Sequence, residues 1–174
     1  MQTRLVQPHR LLLVRHAKAD DGRVDMERSL TAKGARRAAA IGAWLGETGL
    51  VPDRVVVSPA RRAAETWERA AAVLVPAARP PIVDPRIYDN TVEALIALIR
   101  ETPEDVRSVA VVGHNPSMWE LATVLDDGQG SASSRQDLAA GFLTGGVAVF
   151  SLATPFAVIE PGGATLSDFT APGR

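Results

Sequence analysis

The stretch Leu11-Leu12-Leu13-Val14-Arg15-His16-Ala17-Lys18 decides the reading of this chain. Its first four residues form a continuous apolar run, too short for a helix and suited to a strand buried on both faces, as in a sheet covered by helices on each side. The run then breaks into cationic and imidazole groups. Two further β-branched runs behave alike: Val55-Val56-Val57 leads into Ser58-Pro59-Ala60-Arg61-Arg62, and Val109-Ala110-Val111-Val112 leads into Gly113-His114-Asn115-Pro116.

Helical segments separate these strands. Thr31 caps a helix running to about Trp44, with Gly46 and Gly49 ending it before Pro52. Ser58, followed by a first-turn proline, caps a second helix that reaches towards Val75 and stops at Pro76. Asn90 or Thr91 caps a third, whose Val92, Leu95, Ile96 and Ile99 share one face, and Asn115-Pro116 opens a fourth carrying Met118, Leu121, Ala122 and Leu125 inward. Val147–Leu152 and Phe156–Ile159 read as later strands in a hairpin around Pro155, and residues 126–137 as a mobile polar loop. Strands alternating with helices predict an α/β, three-layer fold with a mostly parallel central sheet and helices on both faces.

Length and charge narrow the function classes. With 174 residues, residues 1–174 are expected to form a single domain. Hydrophobic residues make up 46% and charged residues 22%, as in ordinary globular proteins. Nineteen basic and twenty acidic side chains leave a net charge of -1, so no general field exists to hold nucleic acid or a membrane surface, and an anion must be bound by a local cluster. The absence of cysteine removes disulfides, thiolate metal sites and thiol nucleophiles, and with no targeting segment it predicts a cytoplasmic location.

In an open α/β sheet, ligands collect beyond the carboxyl ends of the strands. All three junctions deliver cationic or imidazole groups there, and two of them also open helices, whose free N–H groups favour an anion. The ligand so described is a phosphate. Arginine stays protonated and its planar fork takes two phosphate oxygens at once, while a histidine beside such arginines is driven towards the neutral, nucleophilic ring. Each junction alone is unremarkable, since strand ends commonly meet solvent, and it is their joint placement that counts. His9, before the first strand, reads as a surface residue.

These residues resemble the three motifs of the histidine phosphatase superfamily (phosphoglycerate mutase-like), and most nearly its SixA-like phosphohistidine phosphatase branch. Leu13-Val14-Arg15-His16-Ala17 is similar to the signature after the first strand, Ser58-Pro59-Ala60-Arg61-Arg62-Ala63 with Glu65-Thr66 to the second motif, and Val112-Gly113-His114-Asn115-Pro116 to the third. Glu27-Arg28-Ser29-Leu30-Thr31 resembles the lead into the first helix, with serine where the family usually has proline. The resemblance implies a phosphatase in which His16 accepts the phosphoryl group and Arg15, Arg62 and His114 form the catalytic, phosphate-binding pocket around it, with no metal and no cofactor. It selects Arg62 over Arg61.

The resemblance does not bring a general acid. Asp84 and Asp89 are candidates that read more simply as turn and cap residues. A missing acid suits a phosphoramidate, whose histidine leaving group carries its own basic nitrogen. The expected partner is therefore a phosphorylated substrate, foremost a phosphohistidine-bearing protein. The alternatives are a small-molecule phosphomonoesterase acting on a nucleotide or sugar phosphate and a non-catalytic phosphate-binding module. A mutase is disfavoured because only residues 126–137 are available as a lid, and a metallohydrolase because the histidines lack zinc-like spacing.

Overall fold

A computed structural model describes residues 8–88 and 91–174. Its centre is one six-stranded sheet of order β3-β2-β4-β1-β5-β6, built from β1 (His9–Arg15), β2 (Arg54–Val57), β3 (Ile82–Val83), β4 (Ser108–Gly113), β5 (Val147–Leu152) and β6 (Thr165–Thr170). Strands β1 to β4 are parallel, whereas β5 pairs antiparallel with β1 and with β6. The expected α/β class with a mostly parallel sheet is the one observed.

Strand β1 lies between β4 and β5, and its side chains alternate between two cores. Leu11 and Leu13 join the cluster under α3 (Val92–Arg100), α4 (Ser117–Leu125) and α5 (Ala132–Ala140). Leu12 and Val14 join the cluster under α1 (Ala32–Thr48) and α2 (Arg61–Leu74). Burial on both faces explains the unbroken apolar run, and each buried leucine contributes about 1.5–3 kcal/mol.

Helix α1 is capped by the Thr31 hydroxyl, which accepts from the Gly34 N–H, and runs one turn past the expected end, through Gly46, to a left-handed Gly49 (φ 68°). Its Gly42 lies against α2 so closely that a Cβ there would stand 2.2 Å from the Ala70 carbonyl oxygen. Thr91 caps α3 through the Ala94 N–H, while Asn90, the other candidate cap, lies outside the described residues.

Three expectations are corrected. Ser58 does not cap α2: the N-cap is Ala60, without a side-chain bond, and the Ser58 hydroxyl turns towards the site. Phe156–Ile159 is not a strand: Phe156–Val158 forms one 3₁₀ turn, burying Phe156 and Ile159 three residues apart, and the hairpin partner of β5 is the more polar β6. The supposed loop at 126–137 contains the start of α5, capped by Ser131, and is pinned by an Asp126–Arg135 ion pair of 2.7 Å. The two-residue β3, exposed at the sheet edge, escapes sequence pattern altogether. None of the described helices is long and apolar enough to cross a membrane.

Candidate active site

The order β2-β4-β1 places three parallel strand ends side by side, so residues distant in sequence leave the sheet at one edge. Register fixes the neighbours. Arg15 sits opposite Gly113, the His16 N–H donates to the Gly113 carbonyl (3.0 Å), and the Ser58 N–H donates to the Val112 carbonyl (3.1 Å). His16, Ser58 and His114 thus follow directly from ladder geometry. The two imidazole centroids lie 5.2 Å apart at 52°.

A hydrogen bond defines the tautomer of His16. The His16 Nδ1–H donates to its neighbour's carbonyl, Ala17 O (2.7 Å), which leaves the Nε2 lone pair free as a nucleophile. The fully buried Ser58 hydroxyl accepts from the Ala60 N–H (3.2 Å) and shares a 2.7 Å hydrogen bond with His114 Nε2; when the hydroxyl is the donor, the proton of the neutral His114 ring is on Nδ1. That Nδ1 is buried and has no acceptor among the described residues.

Both rings are held neutral. Burial lowers His16 to about 4, the Ala17 carbonyl opposes that shift, and Arg62, Arg15 and Arg28 add to it. Burial lowers His114 to about 3, with further repulsion from His16 and Arg62 against a partial offset by Asp25. A neutral His16 is competent to attack at neutral pH without an auxiliary base.

The arginines are oriented by different means. Arg62, only 5% exposed on the first turn of α2, donates through Nη1 to the Asp25 carbonyl (2.7 Å) and through Nη2 to Asp25 Oδ2 (3.0 Å). Arg15 donates through Nη1 to the carbonyl of Phe142 (2.8 Å). Neither Nε has a partner among the described residues. With His114 Nδ1 they make three buried nitrogens without partners, and an oxyanion would accept from each one that carries a proton after a small side-chain adjustment. Arg61, by contrast, faces solvent and pairs with Glu65 (2.7 Å), so of the two adjacent arginines Arg62 is the one turned inward.

Thr66 ties the loop after β1 to α2: its hydroxyl accepts from the Ala17 N–H (3.0 Å) and donates to the Arg62 carbonyl (2.6 Å).

Three contributors were not legible as site residues. Asp25 accepts from Tyr88 O–H (2.8 Å), Arg28 Nε (3.0 Å) and Arg62, and the Tyr88 bond together with the two arginines holds its carboxyl far below the usual carboxylate range. Tyr88 also packs edge-on against His114 at 5.8 Å. Phe142 contributes a backbone carbonyl. The only sequence hint is the Asp25/Arg28 pair at helical spacing before the first helix.

Asp84 proves to be a capping residue: it accepts from the Arg86 N–H (2.9 Å) and pairs with the Arg86 guanidinium (2.8 Å). Asp89 lies outside the described residues. His9 is corrected from surface to buried. It stands at the opposite end of β1, 8% exposed, with Nε2 accepting from Arg107 (3.1 Å) and its ring edge-on to Phe156.

With this geometry in place, comparison with known proteins is specific. Residues 11–92 match the family described as histidine phosphatase superfamily (branch 1). An uncharacterized protein of Mycobacterium tuberculosis is 33% identical over 162 residues, 91% of this chain and 99% of the relative. Among solved structures, a Nakamurella multipartitia protein bearing the name phosphohistidine phosphatase SixA is 29% identical, with a TM-score of 0.81 over 95% of this chain and 97% of that one. The protein histidine phosphatase SixA complexed with tungstate is 26% identical, with a TM-score of 0.76 over 94% and 97% of the two chains. The chain belongs to the histidine phosphatase superfamily, in its SixA-like branch. It is a hydrolytic phosphatase acting on a phosphorylated substrate.

Proposed function

We propose that this enzyme is a phosphohistidine phosphatase, with His16 as nucleophile and Arg15, Arg62 and His114 as the groups that bind the phosphoryl oxygens. The observation that carries the substrate class is the state of the carboxylate at the site. Asp25 is locked as an anion by Tyr88, Arg28 and Arg62, and so is unfit to donate a proton to a leaving alcohol. Asp84 is occupied by Arg86. A phosphoramidate needs no such donor, because its departing imidazole takes a proton from solvent. The likeness to a protein histidine phosphatase that binds tungstate, a tetrahedral oxyanion, supports the same reading.

In this reading His16 Nε2 attacks phosphorus in line as the substrate's P–N bond breaks, giving phospho-His16 and a free imidazole on the substrate. Water then attacks phosphorus, releasing orthophosphate and restoring His16. Arg15, Arg62 and the His114 Nδ1–H stabilise the equatorial oxygens, where the transition state concentrates charge. Residues 1–174 act as one histidine phosphatase domain, and the lack of cysteine supports a cytoplasmic setting.

Acid-quench labelling with a radioactive phosphohistidine protein tests both claims. An acid-labile phosphate mapping to His16, absent in His16→Ala, together with turnover of that protein exceeding turnover of sugar phosphates, is expected. Label on another residue refutes the nucleophile, and faster sugar-phosphate turnover refutes the substrate class.

A further inference from the structure

The carbonyl of Phe142 receives two donors. One is Arg15 Nη1 (2.8 Å), and the other is the Asn115 side-chain Nδ2 (2.9 Å). A carbonyl oxygen has two lone pairs, so this acceptor is saturated, and the two donors come from the ends of adjacent strands β1 and β4. The amide is oriented by this bond, since it leaves Asn115 Oδ1 buried without a donor among the described residues. Paying that loss with a tether implies that the tether matters locally.

The segment carrying the carbonyl needs fixing. Residues 141–146 include Gly141 (φ 133°) and Gly145 (φ 73°), whose backbones resist distortion little. Its far end is tied to β1, because the Gly145 N–H donates to Arg15 O (3.1 Å) and His16 O (3.0 Å), and Gly146 O accepts from the Arg15 N–H (3.1 Å). Its near end is held by the Gly141 N–H, which donates to Leu138 O (3.1 Å), by the Phe142 ring, edge-on to Phe169 at 5.0 Å, and by Asn115. The ring contact restrains the side chain; the Asn115 bond restrains the carbonyl itself, which is the group that aims Arg15.

We propose that Asn115 is a positioning residue for Arg15, acting through the shared Phe142 carbonyl that both side chains contact. The proposal deepens the reading above and rests on Arg15 as a phosphoryl-binding group. Without the Asn115 donor, the carbonyl loses the one side-chain bond besides Arg15's that fixes its direction among the described residues, and the guanidinium it aims is less firmly held. The loss falls on transition-state binding, where a small misplacement of a fork is amplified.

A double-mutant cycle in kcat/KM with a small phosphate ester tests this, using Asn115→Ala, Arg15→Lys and the pair. Asn115→Ala is expected to lower kcat/KM about tenfold in the Arg15 enzyme and less than about twofold in Arg15→Lys, because neighbours that share a partner are non-additive. An equal fold-loss in both backgrounds overturns the proposal, since a merely structural role would be felt in each. Asn115→Asp keeps the shape and removes the donor, and it enters the same cycle if the alanine variant fails to fold. Should Arg15→Lys alone leave kcat/KM unchanged, it is the assigned role of Arg15 that fails; an impaired Arg15→Lys with additive losses fails the Asn115 inference only.

Discussion

Two neutral histidines packed together make a sharp prediction about acid stability. In the unfolded chain both titrate near the reference value of 6.5, whereas in the fold His16 is lowered to about 4 and His114 to about 3. Between those limits the unfolded chain binds protons that the folded one refuses, so stability is complete above about pH 6.5 and falls as the pH drops towards 4. At about pH 4.5, holding His16 neutral costs ~2.5 kcal/mol relative to an unperturbed histidine. His114 adds a similar amount, reduced because part of its depression requires a charged His16, so together the pair withdraws ~3–4 kcal/mol. That is a large share of the ~5–15 kcal/mol typical of a folded domain. Urea denaturation followed by tryptophan fluorescence measures it, since Trp67 is 2% exposed and its emission should shift on unfolding. Wild type and the His16→Asn/His114→Asn variant are compared at about pH 7 and about pH 4.5. His9, also lowered by burial, is common to both proteins and cancels, while Asp25 loses its contribution only at lower pH. The wild type is expected to lose ~3 kcal/mol more than the variant. Equal losses would refute the claim that the two rings are neutral in the fold.

Three shorter predictions follow from the same structure. The acid limb of kcat/KM, corrected for substrate ionisation, should fall near pH 4, where free His16 protonates, and an inflection near 6.5 would mean that the ring is not desolvated. Gly42→Ala should cost ~2 kcal/mol or more and lower the thermal midpoint by several degrees, because the new Cβ meets the backbone oxygen of Ala70 at 2.2 Å and α1 must move off α2. Thr66→Val keeps the shape but removes the acceptor of the Ala17 N–H and the donor to Arg62 O. Denaturation should show a loss of ~1–3 kcal/mol and kinetics a fall in kcat/KM, and wild-type values in both would show that the tie is idle.

The parts of this molecule that were readable from sequence are those where one residue type answers one physical demand. Leu11 to Val14 face two cores, so they are all apolar; the parallel strands β1, β2 and β4 send Arg15, Ser58 and His114 to one edge, so topology alone gathers the motifs. Helix α5 and strand β6 answer weaker demands. Only Ser134 and Leu138 of α5 are buried, and β6 pairs on one side only, which leaves no pattern strong enough to separate them from loop.

The orientation of the site was unreadable for a different reason. The contacts that aim the arginines span 37 residues from Asp25 to Arg62 and 127 from Arg15 to Phe142. The second uses a backbone oxygen, which every residue possesses. Asp25, half-exposed at the start of a single 3₁₀ turn, reads as a solvated charge until Arg62 and Tyr88 reach it from other elements. The nucleophile is thus set by local sequence, while the direction of the groups around it is set by loops whose identity matters less than their course. It follows that substitutions in residues 141–146 should alter catalysis more through backbone freedom than through side-chain chemistry, as the two left-handed glycines there already indicate.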